Sequence, residues 1–367
     1  MNQPERIPYL SVVMVSRNDN HGGNMLRRMQ VAIIGLLEQL ERHQIESELI
    51  LVDWNPPRDK ALLKEVIQWP SLLKYCTIRV IEVDPSIHQR YQYHDKIPVH
   101  ATVAVNCGIR RSRGEFILPG TIDLLYSDEL MSFIASKALK PGERYRVDRC
   151  DVDREVVKLD ALREQLEYCR KNVIRVHSFR PSFEKGFPDL HTNACGDFQL
   201  MSRHFWYLLR GYPEDNIAPS HPDSLISYAS YAAGVKEVVL CDPMRLYHID
   251  HDGKFNEKLK SHPPFFEAWA SSRFIPRPLG GKFIALYRCF FGDQTRVELD
   301  GIPTLSFSEY RKICKKIVAG KRSYIFNDET WGLGKERLEE TLIAVAEWDK
   351  GFLQSQAPAN ESLVAGR

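Results

Sequence analysis

The sequence predicts an α/β fold on a mainly parallel sheet. Short apolar runs rich in β-branched residues recur at 10–16, 48–52 and 77–83, as expected of strands buried on both faces. Stretches with helical spacing lie between them. That alternation favours a sheet covered on both sides, with ligands bound beyond the carboxyl ends of the strands.

The first run, Leu10-Ser11-Val12-Val13-Met14-Val15-Ser16, ends in the polar loop 17–23, which closes on Gly22-Gly23. From Asn24, a good N-cap, Met25, Met29, Ile33, Leu36, Leu37 and Leu40 repeat at helical spacing. The second strand closes on Asp53-Trp54-Asn55-Pro56-Pro57, where two prolines forbid further pairing. After a third strand comes a helix over 99–113, broken by Gly114. A short strand at 115–118 then leads into Thr121-Ile122-Asp123, and a helix spans 128–139. A charged helical stretch reaches about Lys171, and an irregular segment follows, suited to a lid or acceptor loop. Order returns at 196–209, with a helix over 223–233, Gly234 as its stop and a strand at 237–240. The pattern Leu338, Leu342, Val345 and Trp348 predicts a last helix over 335–349.

Composition narrows the function. Apolar residues are 43% and charged residues 27% of the 367, the balance of a folded globular chain. The formal net charge of +2 gives no reason to expect nucleic acid, so any phosphate recognition is local. The eight cysteines stand singly, without the close pairs of structural zinc, as in a reduced, cytoplasmic protein. Residues 1–8 lack a basic start and apolar stretch, and no later run is long enough to span a bilayer. Peripheral attachment to the inner membrane face stays open.

Carboxylates that follow buried strands are candidates for nucleotide and metal contacts, and Asp53 and Asp123 both qualify; capping of a loop is the alternative for each. The loop 17–23 joins a strand to a helix N-terminus, where free N–H groups favour a phosphate, although glycines before a helix are usually just a turn. Trp54 and Trp331 offer faces for a base or sugar, with a place in the core as the other reading.

The order of these features resembles that of inverting glycosyltransferase family 2 and its GT-A relatives, over about residues 9–251. The most specific match is Asn106-Cys107-Gly108-Ile109, then Arg110 to Arg113, then Gly114-Glu115-Phe116-Ile117. The family's Asp-x-Asp falls next, where this chain has Thr121-Ile122-Asp123 and so lacks the first carboxylate. A literal Asp-x-Asp at Asp151-Val152-Asp153 lies past a strand at 145–147 and reads as an acceptor-side pair or a solvated turn. Gly196-Asp197-Phe198 and Gly211-Tyr212-Pro213-Glu214 look like the acceptor-side motif of these families and of the related galactosyltransferases.

The resemblance implies transfer of a sugar from a UDP- or GDP-sugar to a hydroxyl of a glycan, lipid-linked or small-molecule acceptor. It puts Ser16, Arg17, Asn18, Asp53, Trp54, Asn106, Arg110, Thr121 and Asp123 on the donor side, and Asp151, Asp153, Gly196 and Asp197 on the acceptor side. Asp123 and His248 would hold Mn²⁺ or Mg²⁺, Thr121 supplying only a hydrogen bond. Strand alternation sets His248 and Asp250 on one side and points His251 away. Asp223, in His221-Pro222-Asp223, is the implied base, with capping of its own helix as the alternative. The expected organisation is a catalytic domain at 1–251, its nucleotide half about 9–125 and acceptor half about 126–251. A smaller, mostly helical subdomain at 252–354 and a tail at 355–367 complete it. A nucleotide-sugar-forming nucleotidyltransferase and a non-catalytic binder are the competing classes.

Overall fold

Along β1 (Leu10–Ser16) every residue but Val15 is buried, and β2 (Ser47–Trp54) is buried throughout. These two strands form the centre of a computed structural model that describes residues 6–179, 187–215, 221–251, 259–291, 294, 296–299 and 301–350. Helix α1 (Met25–Arg42) joins them. After β2 come the short α2 (Leu63–Val66), β3 (Cys76–Val83), the short α3 (Pro85–His88), α4 (Ala101–Arg111), β4 (Phe116–Gly120), β5 (Leu124–Tyr126) and α5 (Asp128–Ala135). Then follow β6 (Glu143–Val147), β7 (Arg149–Val152), α6 (Leu162–Lys171), β8 (Val173–His177), β9 (Leu200–Ser202) and α7 (Arg203–Leu209). Helix α8 (Pro222–Ala232), β10 (Lys236–Leu240) and β11 (Leu246–Ile249) close this part of the chain.

Eight strands form the main sheet in the order β10-β6-β9-β4-β1-β2-β3-β15, where β15 is Glu339–Ala344. The pairs β4–β1, β1–β2, β2–β3 and β10–β6 are parallel, whereas β9 runs against both its neighbours. The expected mixed, mainly parallel sheet is present. Period-2 alternation divides its side chains: Leu10, Val12 and Met14 pack with α1 residues Met29, Ile33, Leu36 and Leu40, while Val13 joins Val103, Cys107 and Trp206 on the other face. Each fully buried side chain of this kind contributes about 1.5–3 kcal/mol.

Close backbone packing explains the Asn-x-Gly-Ile motif. A Cβ on Gly108 would lie 2.4 Å from Val13 Cγ1, so only glycine lets α4 sit this close to β1. Asn106 donates through Nδ2 to Tyr212 O (2.8 Å) and Glu214 Oε1 (2.9 Å), and its Oδ1 accepts from Tyr212 N (2.7 Å). The two motifs that stand out in the sequence are therefore bonded to each other.

A second sheet, β5-β11-β7-β8, lies beyond the carboxyl end of β4 and carries the polar residues of interest. Here β11 is antiparallel to β5 and parallel to β7, which sets His248 opposite both Leu124 and Asp151.

The structure departs from the sequence expectations at three places. Asn24 is left-handed (φ 47°) and makes no capping bond; Asn20 Oδ1 accepts from Met25 N instead (3.2 Å). The expected helix over 335–349 is instead β15, antiparallel to β3, then a short 3-10 turn at Glu347–Asp349. The run Thr341-Leu342-Ile343 fits an edge strand, and Asp349 fastens it through Arg113 Nη2 (2.7 Å) and Thr77 Oγ1 (2.8 Å). The region beyond 251 is thus helical only in part: it has helices at Phe265–Ala270, Arg277–Phe291 and Phe307–Val318, a small sheet of β12 (Leu259–His262), β13 (Arg296–Leu299) and β14 (Ile302–Pro303), and a last strand in the main sheet. The expected tail lies outside the described residues.

Candidate active site

Asp123 stands where β4 hands over to β5 at the carboxyl edge of the main sheet. Its carbonyl accepts from Ile249 N (2.9 Å), which locks the segment to the end of β11. The carboxylate is buried among cationic and donor groups. Thr121 Oγ1 donates to Oδ1 (2.8 Å), and Arg28 Nη1 from α1 donates to Oδ2 (2.7 Å). The Nε2 atoms of His251 and His248 lie 3.3 and 3.8 Å from the same Oδ2. Burial alone would raise its pKa, but the His251 contact and the charges of His248, His251 and Arg28 hold it well below the usual carboxylate range.

One ligand atom each from Asp123, His248 and His251 falls within 4.8 Å of the others, a spacing one cation could bridge. The chemistry of the set suits a Mn²⁺-like ion, and His251 Nδ1 is buried without a hydrogen-bond partner among the described residues. His248 Nδ1 lies 3.4 Å from Asp151 Oδ1, the carboxylate-histidine arrangement that fixes a ring's orientation and tautomer. His251 does not point away. Strand β11 ends at Ile249, so alternation no longer governs the next residues.

The loop 17–23 lies against this cluster. Arg28 also donates to His21 O (2.8 Å) and Gly23 O (3.2 Å). Gly22 has φ +68°, and a Cβ there would lie 2.7 Å from both Arg28 Nη2 and His251 Nδ1. Glycine is what allows the loop backbone to reach the site.

From Asp151 an ion-pair chain crosses to the other half of the site. His177 Nε2 lies 2.8 Å from Asp151 Oδ2, and Arg149 bridges Asp151 Oδ1 (2.9 Å) and Asp197 Oδ2 (2.7 Å). Burial opposes the charge on Asp151, but His248, His177 and Arg149 hold its pKa low. Asp197 in turn repels Asp223.

Asp223 sits in the first turn of α8, after His221 in the left-handed region and Pro222 at the first helical position. Its carboxylate makes no hydrogen bond or ion pair with any described residue, so it does not cap its helix. Gly196 covers it: a Cβ there would lie 2.6 Å from Asp223 Oδ2. Desolvation, then repulsion from Asp197, push its pKa up to about 6 against a weaker pull from Arg146.

The remaining sequence candidates divide. Ser16 is buried beside Met25 Sδ (3.7 Å), Arg17 Nε donates to Asn55 O (2.6 Å), and Asn18 Nδ2 donates to Ala61 O (2.9 Å). Asp53 is fully buried. Its Oδ2 accepts from Leu63 N (2.9 Å), Oδ1 has no partner among the described residues, and burial raises its pKa to about 6. Trp54 has no face to offer a ligand, because it is fully buried and donates to His88 Nδ1 (3.0 Å). Asn106 spends its amide on the 211–214 turn. Arg110 faces the C-terminal segment, donating to Glu329 O and Trp331 O (3.0 Å each) and stacking over the largely buried Trp331. Asp153 caps a 3-10 turn through Glu155 N (2.8 Å) and is separated in role from Asp151, its motif partner.

Sequence reasoning did not select Arg28, His251, Arg149 or His177. Arg28 was detectable as a charge three residues after Met25 on the apolar stripe of α1. Arg149 and His177 are brought in by strand pairing, and His251 by the chain that follows β11.

No family model and no curated protein matches this chain. Among solved structures it is similar to Staphylococcus aureus TarS residues 1–349, at 14% identity and a TM-score of 0.42, over 65% of this chain and 60% of that one. The same protein in complex with UDP gives the same identity and TM-score over 77% and 71%. GalNAc-T7 with UDP, GalNAc and Mn²⁺ gives 13% and 0.42 over 67% and 44%. The chain thus spans about three fifths of the first TarS chain and under half of GalNAc-T7.

Proposed function

We propose that this chain is a GT-A-type glycosyltransferase, moving a sugar from a nucleoside-diphosphate sugar to an acceptor hydroxyl. The observation that carries the reading is a division of labour between two carboxylates at one sheet edge. Asp123 is surrounded by His248, His251 and Arg28, whereas Asp223 is desolvated, unpaired among the described residues and poised near neutral pH. The motif resemblance of residues 9–251 points the same way.

In this reading Asp123, His248 and His251 hold the divalent cation, which neutralises charge on the departing diphosphate when bound. Arg28 and the loop N–H groups around Gly22 add positive potential for the phosphates. On the acceptor side Asp223 takes the hydroxyl proton as the oxygen bonds to the anomeric carbon from the face opposite the leaving diphosphate. The bond from that carbon to the diphosphate breaks, and configuration inverts. Arg149 bridges Asp197 and Asp151 and holds both carboxylates in place, which leaves Asp223 as the acceptor-side carboxylate without an ion-pair partner among the described residues.

The test is a panel of UDP- and GDP-sugars, with and without Mn²⁺, followed by release of free nucleoside diphosphate. Release that requires intact Asp223 supports the transferase. Pyrophosphate exchange would instead mark a nucleotidyltransferase, and thermal stabilisation without turnover on any acceptor would mark a binder.

A further inference from the structure

Exposed large apolar side chains cluster in one segment of the described chain. Phe265 (88% exposed) opens the helix Phe265–Ala270, Phe274 (82%) lies in the turn that follows, and Leu286 (58%) and Phe290 (75%) lie on the helix Arg277–Phe291. At 100° per residue Leu279, Leu286 and Phe290 fall within about 40° of one another, forming a single outward stripe. The other side of that helix is committed to its neighbour. Tyr287 stacks on Phe266 at 4.9 Å, Arg288 makes a two-pronged bond to Glu267 (3.0 and 2.8 Å), and a Cβ on Gly280 would collide with Ala270 O. The two helices therefore pack on each other and turn an aromatic face outward.

Charge identifies the occupant. Residues 265–291 contain four basic residues, Arg273, Arg277, Lys282 and Arg288, against the single acid Glu267. Their excess of three exceeds the +2 of the whole chain, so the rest is slightly acidic. Arg288 spends its charge on Glu267, whereas Lys282 lies one turn from Leu279 and Leu286 and Arg273 sits over the ring of Phe274 at 5.1 Å, so basic groups flank the apolar face. Phe, Trp and Leu flanked by Lys and Arg is the composition that lies at a bilayer surface. At 15 residues the longer helix measures about 22 Å, short of a bilayer's hydrocarbon core of about 30 Å, and no helix of the described chain is long and apolar enough to cross. We infer that the 265–291 helix pair is a docking surface for an anionic lipid bilayer, lying in the interface with its aromatic stripe among the headgroups.

The test is flotation of the full chain with phosphatidylcholine vesicles, with and without phosphatidylglycerol. Binding is expected to the anionic vesicles, to weaken as salt rises, and to fall by at least roughly tenfold in the Leu286→Asp/Phe290→Asp variant. Lys282→Glu, which leaves the apolar stripe intact, is expected to lower it about fivefold or more. Circular dichroism and the thermal midpoint control for folding, and Lys282→Glu keeps the test open if the double variant misfolds. No binding to anionic vesicles overturns the inference. So does a dimer in solution that the double variant converts to monomer, since the stripe would then be an interface between copies. Sugar transfer need not be active for either measurement, so this inference and the transferase reading can fail separately.

Discussion

Asp123 and Asp223 are the same residue type at the same edge of the molecule, and their surroundings drive them in opposite directions. Both are shielded from water, which by itself disfavours the charged form. Asp123 is compensated by Arg28, His248 and His251 and stays ionised; Asp223 has only the more distant Arg146 and the repulsion of Asp197, and its pKa rises to about 6. The difference teaches that position beside a strand end does not set a carboxylate's role. What the neighbouring elements bring to it does: α1 brings Arg28 and β11 brings His248 to Asp123, while Gly196 and α8 withhold partners from Asp223.

The largest expected effect breaks the comparison at its catalytic end. Asp223→Asn keeps the shape and removes the proposed base, so turnover should fall on the order of a hundredfold to ten-thousandfold. Donor affinity should stay close to wild type, as read by titration calorimetry beside a nucleoside-diphosphate release assay. Next comes the binding end. Asp123→Ala or His251→Ala should weaken Mn²⁺-dependent donor binding about ten- to a hundredfold, and chelation of the wild type should mimic the loss. Preserved donor binding in both variants would remove Asp123 from the donor site.

The pH dependence sharpens the contrast. Turnover should rise with pH through about 6 as Asp223 loses its proton. The stability sign is the reverse of the usual carboxylate case. The folded pKa is raised from 3.8 to about 6, so the native state holds the proton more tightly, and stability falls as pH rises through that window. Asp223→Asn removes this penalty and should be more stable at neutral pH by about 3 kcal/mol, visible in urea unfolding. A smaller effect is expected at Gly196→Ala, whose new methyl pushes on Asp223 Oδ2. It should lower turnover by roughly tenfold while leaving donor binding intact. The smallest is Asp153→Ala, which loses a cap worth about 1 kcal/mol and should leave turnover unchanged.

Much of the sheet was readable because its strands are buried on both faces and announce themselves as unbroken apolar runs. The strand β15 was not, because Leu338, Leu342, Val345 and Trp348 satisfy a helical period while an edge pairing with β3 decides the conformation. Motif resemblance located residues better than it assigned them. Asn106, Arg110 and Trp54 fall where the pattern puts donor contacts, yet each is spent on holding the 211–214 turn, the 329–331 segment or the His88 wall. His251 lies two residues past the end of β11, where the period of 2 no longer sets which way a side chain points. Arg149 and His177 become relevant only through the pairing of β7 with β11 and β8, which no sequence period encodes.

The most direct test of the division between the two carboxylates measures donor affinity and turnover side by side in Asp223→Asn with Mn²⁺ present, using slow hydrolysis of the donor as the readout where no acceptor is in hand. The predicted result is donor affinity close to wild type with turnover down by at least about a hundredfold. Retained turnover, or donor binding lost together with it, would contradict the assignment of binding to Asp123 and proton transfer to Asp223.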